Sequence, residues 1–525
     1  MTAAPAHPIA APSSADRIDP KNLVTFLCLV FGMFMAILDV QIVSASLADI
    51  QAGLSASVNE ITWVQTSYLI AEVIMIPFSG FLSRALGTRY LFALSCAGFT
   101  FASLMCGLAT SITEMIIWRA IQGFVGGAMI PTVFAMSWLM FPRSKQPIIS
   151  PLVGLVVTIA PTIGPSLGGY LTDALSWRWL FFVNIVPGIL ITIVALIRVD
   201  FDKPDFALLR RLDWIGLISM AGFLGGLEYV LEEGPRHDWL NDTSVLVLTY
   251  VSALSACVFF WRVTTAAEPI VDIGAFTYRN FTLGAVFSFT VGIALFGLTY
   301  LYPIYLAQIR GHNAVMIGET LFVTGIVMFI CAPLTGRLIT MMDPRVMMMF
   351  GFIIFGTGTW MTTGLTKDWD FWELLVPQVL RGMGLMTAML PINNMALGSL
   401  PPERLKSAAG LYNLTRILGG AVGLALLTTL LNVRTDHHLA RLHEQITWSR
   451  GPVVETLAAL TQRFAAFGAD APTMALKQLN AIVHRQGVVM AFIDIFWVLT
   501  IMFALLAVST VFLKRQAVAG ARTAK

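Results

Sequence analysis

Long apolar blocks alternate along this chain with short polar breaks. The blocks run at 23–47, 60–82, 90–109, 112–141, 147–171 and 177–199, then at 213–232 and 243–263. Six more follow at 279–308, 314–340, 345–365, 371–399, 404–433 and 487–514. Most reach the roughly 20 residues that a helix needs to cross a bilayer core. Most are also apolar all round, where buried helices of a large soluble protein would keep a polar face. The pattern therefore predicts an all-α integral membrane protein with 14 spans. Two six-helix halves, 23–199 and 279–514, flank a linker at 200–278 that carries two extra spans. Residues 1–22 are rich in Ala, Pro and Ser and read as disordered, and 515–525 read as a short tail. The segment 434–486 breaks the pattern by mixing Arg, Glu, Gln and His with spaced apolar residues. It reads as one or two amphipathic helices held near the membrane surface.

Basic residues give the expected orientation. With the N-terminus inside, the inner segments hold 20 of the 33 Lys and Arg residues, against four in the short outer loops. Cytoplasmic loops carry such an excess, so both termini are expected in the cytoplasm and 434–486 outside. An internal repeat supports the two-half design. Pro77, Gly80, Leu82 and Arg89 match Pro333, Gly336, Leu338 and Arg345 at an offset of 256, while Gln122, Gly123 and Pro142 match Arg381, Gly382 and Pro401 at 259. Repeated halves are a common plan of secondary transporters.

Composition narrows the function. Of the 525 residues 57% are hydrophobic and 12% charged, about half the charged share of a soluble domain. A net charge of +3 without a basic stripe argues against a nucleic-acid partner. Cys28, Cys96, Cys106, Cys257 and Cys331 all fall inside predicted spans and read as small packing residues. There is no phosphate-binding glycine loop of the G-x-x-x-x-G-K-[ST] form and no hydrolytic signature, so neither direct ATP drive nor an enzyme is expected, and no cofactor or metal.

Ionisable groups inside spans are costly and need a reason. Asp39 in the first span and Arg119 in the fourth can satisfy each other by pairing. Such a pair is either a fixed brace or a proton-responsive one, in which protonated Asp39 releases its partner. Glu72, Glu228, Glu319 and Asp494 are four more acids inside spans. Glu72 follows Tyr68 by one helical turn, so both can face one cavity. Arg381 and Arg416 are expected to brace helix packing or line the cavity. The fifth span concentrates Gly154, Pro161, Gly164, Pro165, Gly168 and Gly169, which favours a flexing, gate-forming helix. His437, His438 and His443 read as a wet helix face.

Several of these residues resemble signatures of the major facilitator superfamily. Gly80-Phe81-Leu82-Ser83-Arg84-Ala85-Leu86-Gly87 with Arg89 resembles its loop between the second and third spans, with Arg84 near the place of the usual acid. Arg119-Ala120-Ile121-Gln122-Gly123 is similar to its fourth-span motif tied to proton coupling, and 160–169 to its fifth-span antiporter signature. Leu38-Asp39 with Ile42-Val43, Trp177-Arg178-Trp179 with Phe182, Asn184 and Pro187, and 410–416 with Gly419 and Gly420 resemble the fourteen-span drug:proton antiporters. The two central spans and the long outer segment are similar to the EmrB type within them. That resemblance implies proton-coupled export of lipophilic compounds across the inner membrane, with a periplasmic adaptor of the EmrA type and an outer-membrane channel as partners. It implies Asp39 and Arg119 as coupling residues and 434–486 as the adaptor's docking surface. The resulting candidates are Asp39, Arg119, Glu72 and Glu319 for proton coupling, and Tyr68, Gln122, Glu228, Asn393, Asn413 and Arg416 for the substrate cavity. Gly164, Pro165, Gly168 and Gly169 are the gating candidates. The competing expectation is a dedicated exporter of one metabolite, such as a fatty acid or siderophore.

Overall fold

The computed structural model describes residues 19–513 apart from 201 and 267. The tail 515–525 and all but the last four residues of 1–22 lie outside the described residues. The first half comprises α1 (Pro20–Ala45), α2 (Leu47–Leu54), α3 (Val58–Ala85), α4 (Gly87–Leu108), α5 (Ile112–Gly126), α6 (Met129–Met140), α7 (Gln146–Ala174), α8 (Trp179–Phe182) and α9 (Ile185–Arg198). The linker forms α10 (Ala207–Arg210), α11 (Trp214–Glu233) and α12 (Thr243–Thr265). The rest forms α13 (Arg279–Tyr305), α14 (Ala314–Met341), α15 (Pro344–Met361), α16 (Phe371–Gly398), α17 (Leu405–Gln445), α18 (Gly451–Arg463) and α19 (Ala471–Ser509).

Among the described residues 13 helices are long and apolar enough to cross a membrane, and 14 if the bent α7 is one span. That bend is 46° between Gln146–Pro161 and Ile163–Ala174, where Pro161 removes a backbone donor from the helical ladder. Apolar helices still need polar ends, because their first N–H groups have no partner inside the helix. Ser57 with Glu60 and Asp370 with Glu373 form capping boxes on α3 and α16, and Ser111, Asp213, Asp242 and Asn313 cap α5, α11, α12 and α14.

The helices pack in a repeated pattern. In the first half α1 packs on α7, α3 on α5, and α4 on α5 and α9. In the second, α13 packs on α17, α14 on α16, and α15 on α16 and α19. Gly123 lies so close to the Tyr68 carbonyl that a Cβ there would collide with it, and Gly382 approaches the Thr324 carbonyl in the same way. The sequence offset of 259 thus relates two equivalent helix crossings. The halves meet along α7–α14 and α3–α17. There Gly80 presses on Ser407 of α17, and Gly336 on Pro147 of α7, at the same end of the bundle.

The segment 434–486 departs from its expected form. Instead of separate helices on the membrane surface, α17 continues unbroken to Gln445 and α19 starts at Ala471, with α18 packed on α19 between them. At 1.5 Å per residue the 41 residues of α17 are about 60 Å long, twice a bilayer core. The two spans therefore project as a helical hairpin. Two of its polar positions, Arg434 and His438, serve helix-to-helix contacts. Asp494 of α19 accepts from Arg434 Nε at 2.6 Å and bonds His438 Nε2 at 2.7 Å, both on α17. His438 is thus buried in the hairpin, not on a wet face.

Candidate functional site

The structure brings four predicted residues together inside the first half. Arg119 Nη1 donates to Asp39 Oδ2 at 2.5 Å, and both side chains are 0% exposed. Asp39 Oδ1 accepts from Gln122 Nε2 at 3.1 Å and from Asn184 Nδ2 at 2.8 Å. Arg119 also donates to Gln122 Oε1 at 2.8 Å and, through Nε, to the Val64 carbonyl at 3.1 Å. Its guanidinium lies 4.3 Å from the centre of the Tyr68 ring.

The helical spacing explains this convergence. Arg119 and Gln122 are three residues apart on α5 and so share a face. Gly123 lets that face approach the α3 backbone, which places Arg119 against Val64 and Tyr68. Asn184, at the start of α9, enters from the far side and also donates to Ser103 Oγ at 3.0 Å. Sequence reasoning did not select Asn184 as a site residue. Its one signal was a place in the 177–187 motif. Neutral donors and a single cation thus surround one carboxylate, in a setting where an uncompensated charge would cost several kcal/mol.

A second feature is a cavity of about 340 Å³ between the halves, on the side facing the hairpin. Gln41, Gln65, Phe296, Tyr300, Glu228 and Glu232 are on its wall, with Pro165 of the bent α7. Of the six residues expected to line a substrate cavity, only Glu228 is there. Tyr68 turns its ring to Arg119 and Gln122 joins the ion pair, because both point into the first half and away from the second. Asn393 accepts from the Tyr412 hydroxyl. Asn413 accepts from Arg416 Nη2 at 2.5 Å, and the Arg416 guanidinium lies 5.2 Å from the Phe134 ring centre on α6. Those three second-half residues are thus engaged within the helix contacts, Asn393 with Tyr412 and Asn413 with Arg416.

The other candidates separate as well. Glu72 is buried on α3, one turn beyond Tyr68, but off the cavity wall. Glu319 is exposed near the start of α14 and joins neither the pair nor the cavity. It lies on the exposed face of α14, while its neighbours Ile317 and Thr320 are buried. Gly164 and Gly168 hold α7 against Gln41 and Ile42 of α1, so they set a close helix contact. Gly169 is half-buried on the same helix.

The end opposite the hairpin carries a third cluster, which sequence reasoning missed. Asp202, in the linker, accepts from Thr88 N at 3.0 Å and Thr88 Oγ1 at 2.8 Å, and it pairs with Lys406 of the second half. Lys406 Nζ also reaches the Ser83 carbonyl at 3.4 Å. A carboxylate more than 100 positions away in sequence thus stands beside the loop at 80–89.

Residues 29–424 match the family model described as Major Facilitator Superfamily. The chain belongs to that superfamily. It is 41% identical over 490 residues to the colistin resistance protein EmrB of Acinetobacter baumannii, covering 93% of this chain and 96% of that one. It is 30% identical over 476 residues to the multidrug export protein EmrB of Escherichia coli K12, covering 90% and 92%. Among solved structures, the human organic anion transporter MFSD10 superimposes with a TM-score of 0.58 at 11% identity, over 92% of this chain and all of that one, which shows the shared fold. The chain is accordingly a multi-pass membrane transporter of the EmrB type within the superfamily.

Proposed function

We propose that this protein is a proton-coupled antiporter that exports lipophilic compounds across the bacterial inner membrane, with both termini in the cytoplasm. The observation that carries this reading is the fully buried Asp39–Arg119 pair, held otherwise by neutral groups alone. A proton on Asp39 removes the carboxylate's charge and leaves Arg119 a buried cation without its counter-ion. Breaking a buried pair costs about 3–5 kcal/mol. That approaches the roughly 5.5 kcal/mol that inverts a 1:99 equilibrium between two conformations. Protonation can therefore exchange one packing of the first half for another.

The cavity between the halves is the candidate substrate site, and α7 the candidate moving wall, through Gly164, Pro165, Gly168 and Gly169. In the present conformation the Gly80–Ser407 and Gly336–Pro147 contacts close the end opposite the hairpin, so the cavity lies on the outer side. Return of one proton down 100 mV supplies about 2.3 kcal/mol. At roughly 1.4 kcal/mol per factor of ten, that sustains about a fifty-fold gradient of a neutral compound. The similarity to a colistin resistance protein and a multidrug export protein supports a drug substrate. The projecting hairpin 434–486 is the surface proposed to receive a periplasmic adaptor of the EmrA type, leading to an outer-membrane channel.

The test is transport by full-length protein in proteoliposomes under an imposed pH gradient, with a lipophilic cationic dye and a lipophilic weak acid in parallel. Gradient-driven movement is expected for the wild type and is lost in Asp39→Asn, which remains inserted. Normal pH-dependent transport by Asp39→Asn removes this carboxylate from the mechanism.

A further inference from the structure

The two extra helices bring an acidic feature to the cavity that the superfamily's twelve other spans do not supply. α11 wedges against α3 and α17, and glycine makes this possible. A Cβ on Gly225 would stand 3.2 Å from Ile70 on α3. This approach places Glu228 and Glu232, one helical turn apart, on the cavity wall. Glu233, the next residue, turns away and accepts from Thr66 Oγ1 at 3.1 Å.

Glu228 is 2% exposed, and its Oε2 is buried without any hydrogen-bond partner. No described residue on the wall is basic. Arg381 reaches the wall only through Thr299, to whose hydroxyl it donates at 3.3 Å. An ionised carboxylate with nothing to pair with is costly in apolar surroundings, so such a group holds its proton until a ligand that brings a positive charge takes the proton's place. Phe296 and Tyr300 add aromatic rings, which attract cations over their faces. The volume of about 340 Å³ is at the lower end of drug-sized sites, which run from about 300 to 1,000 Å³.

We infer that Glu228 and Glu232 of the accessory helix α11 form the recognition site for an organic cation, so that this helix sets the charge of the compounds carried. The inference rests on the export reading above and deepens it. Gln41 and Gln65 supply neutral polar contacts on the facing wall. Asp39, in its closed network, lies off the cavity wall, so the cation meets carboxylates other than the one paired with Arg119.

The test is equilibrium binding of tetraphenylphosphonium and tetraphenylborate, equal in shape and opposite in charge, to the full-length protein in lipid nanodiscs. The phosphonium is expected to bind the wild type more tightly than the borate. Glu228→Gln weakens phosphonium binding by about tenfold or more, the equivalent of at least 1.4 kcal/mol, without weakening the borate. Glu228→Asp restores most of the affinity. If Glu228→Gln does not fold, Glu232→Gln carries the same test from a half-buried position, with a several-fold loss expected. Unchanged phosphonium affinity in a folded variant overturns the inference. So does a wild type that binds the borate as well as the phosphonium, or that binds neither. Asp39-dependent, proton-driven transport of the weak acid together with absent phosphonium binding leaves the export reading standing and removes only this one. Glu228-dependent binding in a protein whose transport ignores the pH gradient does the reverse.

Discussion

The two halves share a backbone plan and differ in their buried charge. Gly123 on Tyr68 and Gly382 on Thr324 are the same crossing made twice. At that crossing the first half buries an acid–base pair. The second buries Arg381, in the position equivalent to Gln122, which bonds Gln378 Oε1 at 3.2 Å and Thr299 Oγ1 at 3.3 Å and meets no carboxylate among the described residues. Among the described residues Arg416 likewise bonds Asn413 and no carboxylate. A paired charge can be switched by one proton, whereas a lone guanidinium stays charged at any working pH. The comparison teaches that the repeat preserves helix packing while the buried acid–base pair is present in the first half alone among the described residues. The cavity wall, by contrast, draws on both halves and on α11.

The sharpest way to break this contrast is to make the same change in both halves. Arg119→Gln leaves Asp39 buried without its cation and is expected to cost about 3–5 kcal/mol of stability and nearly all export. Arg381→Gln removes a buried charge that has no counter-ion and substitutes the residue of the other half. It is expected to shift stability by less than about 1.5 kcal/mol, the range of a neutral hydrogen bond, and to keep most export. Thermal unfolding in detergent and proteoliposome transport read both variants. Equal damage from the two would mean that the halves are not functionally divided.

How much of this was legible in the sequence differs by feature. Spans, repeat and the Asp39–Arg119 pair were readable because hydropathy is local and a charge in a bilayer demands a partner. The cavity lining was not. Tyr68, Gln122, Asn393, Asn413 and Arg416 have the polarity of a binding site, and nothing in their spacing tells whether they face a neighbour in the same half or the gap between halves. Glu319 was misplaced for the same reason, since nothing in the sequence shows that it takes the exposed face of α14 while Ile317 and Thr320 take the buried one. The hairpin was misread because an amphipathic pattern serves a membrane surface and a helix pair equally well. Asp202 was missed because its partners, Thr88 and Lys406, are remote in sequence.

Asp202 offers the next test, of intermediate size. At Lys406 the second half meets Asp202 of the linker through one ion pair, whose side chains are 17% and 18% exposed. Asp202 in turn holds Thr88 of the first half, beside glycine-mediated backbone contacts. Partly exposed pairs contribute about 0.2–1 kcal/mol. Lys406→Ala is therefore expected to shift the population opened at that end by up to about fivefold, since 1.4 kcal/mol is tenfold. Pulsed EPR distances between labels on the two halves measure it. Asp202→Asn should open that end at least as much, because Asp202 also caps Thr88. An unchanged distance distribution in both variants would show that the glycine contacts alone hold the halves together there.

The smallest effect returns to the repeat itself, at the caps of α5 and α16. Ser111 with Glu114 and Asp370 with Glu373 stand at the same offset of 259, so one cap is neutral where its counterpart is charged. Asp370 accepts from Arg310 Nη2 at 2.8 Å, and this hydrogen bond from Arg310 holds its carboxyl below the usual carboxylate range. A lowered folded value means that the stabilisation is present above the unfolded value of about 3.9 and is lost as pH falls through the folded one. Asp370 is about a third exposed, so the gain is expected to be no more than about 0.5 kcal/mol after screening. Asp370→Asn should therefore melt slightly below wild type at neutral pH, with the gap closing below about pH 4. Ser111→Ala should lower the melting temperature by an amount independent of pH over the same range, because its cap rests on a neutral hydroxyl. A gap for Asp370→Asn that persists unchanged into acid would assign the effect to the cap hydrogen bond alone. The two halves would then be capped by the same physics despite their different residues.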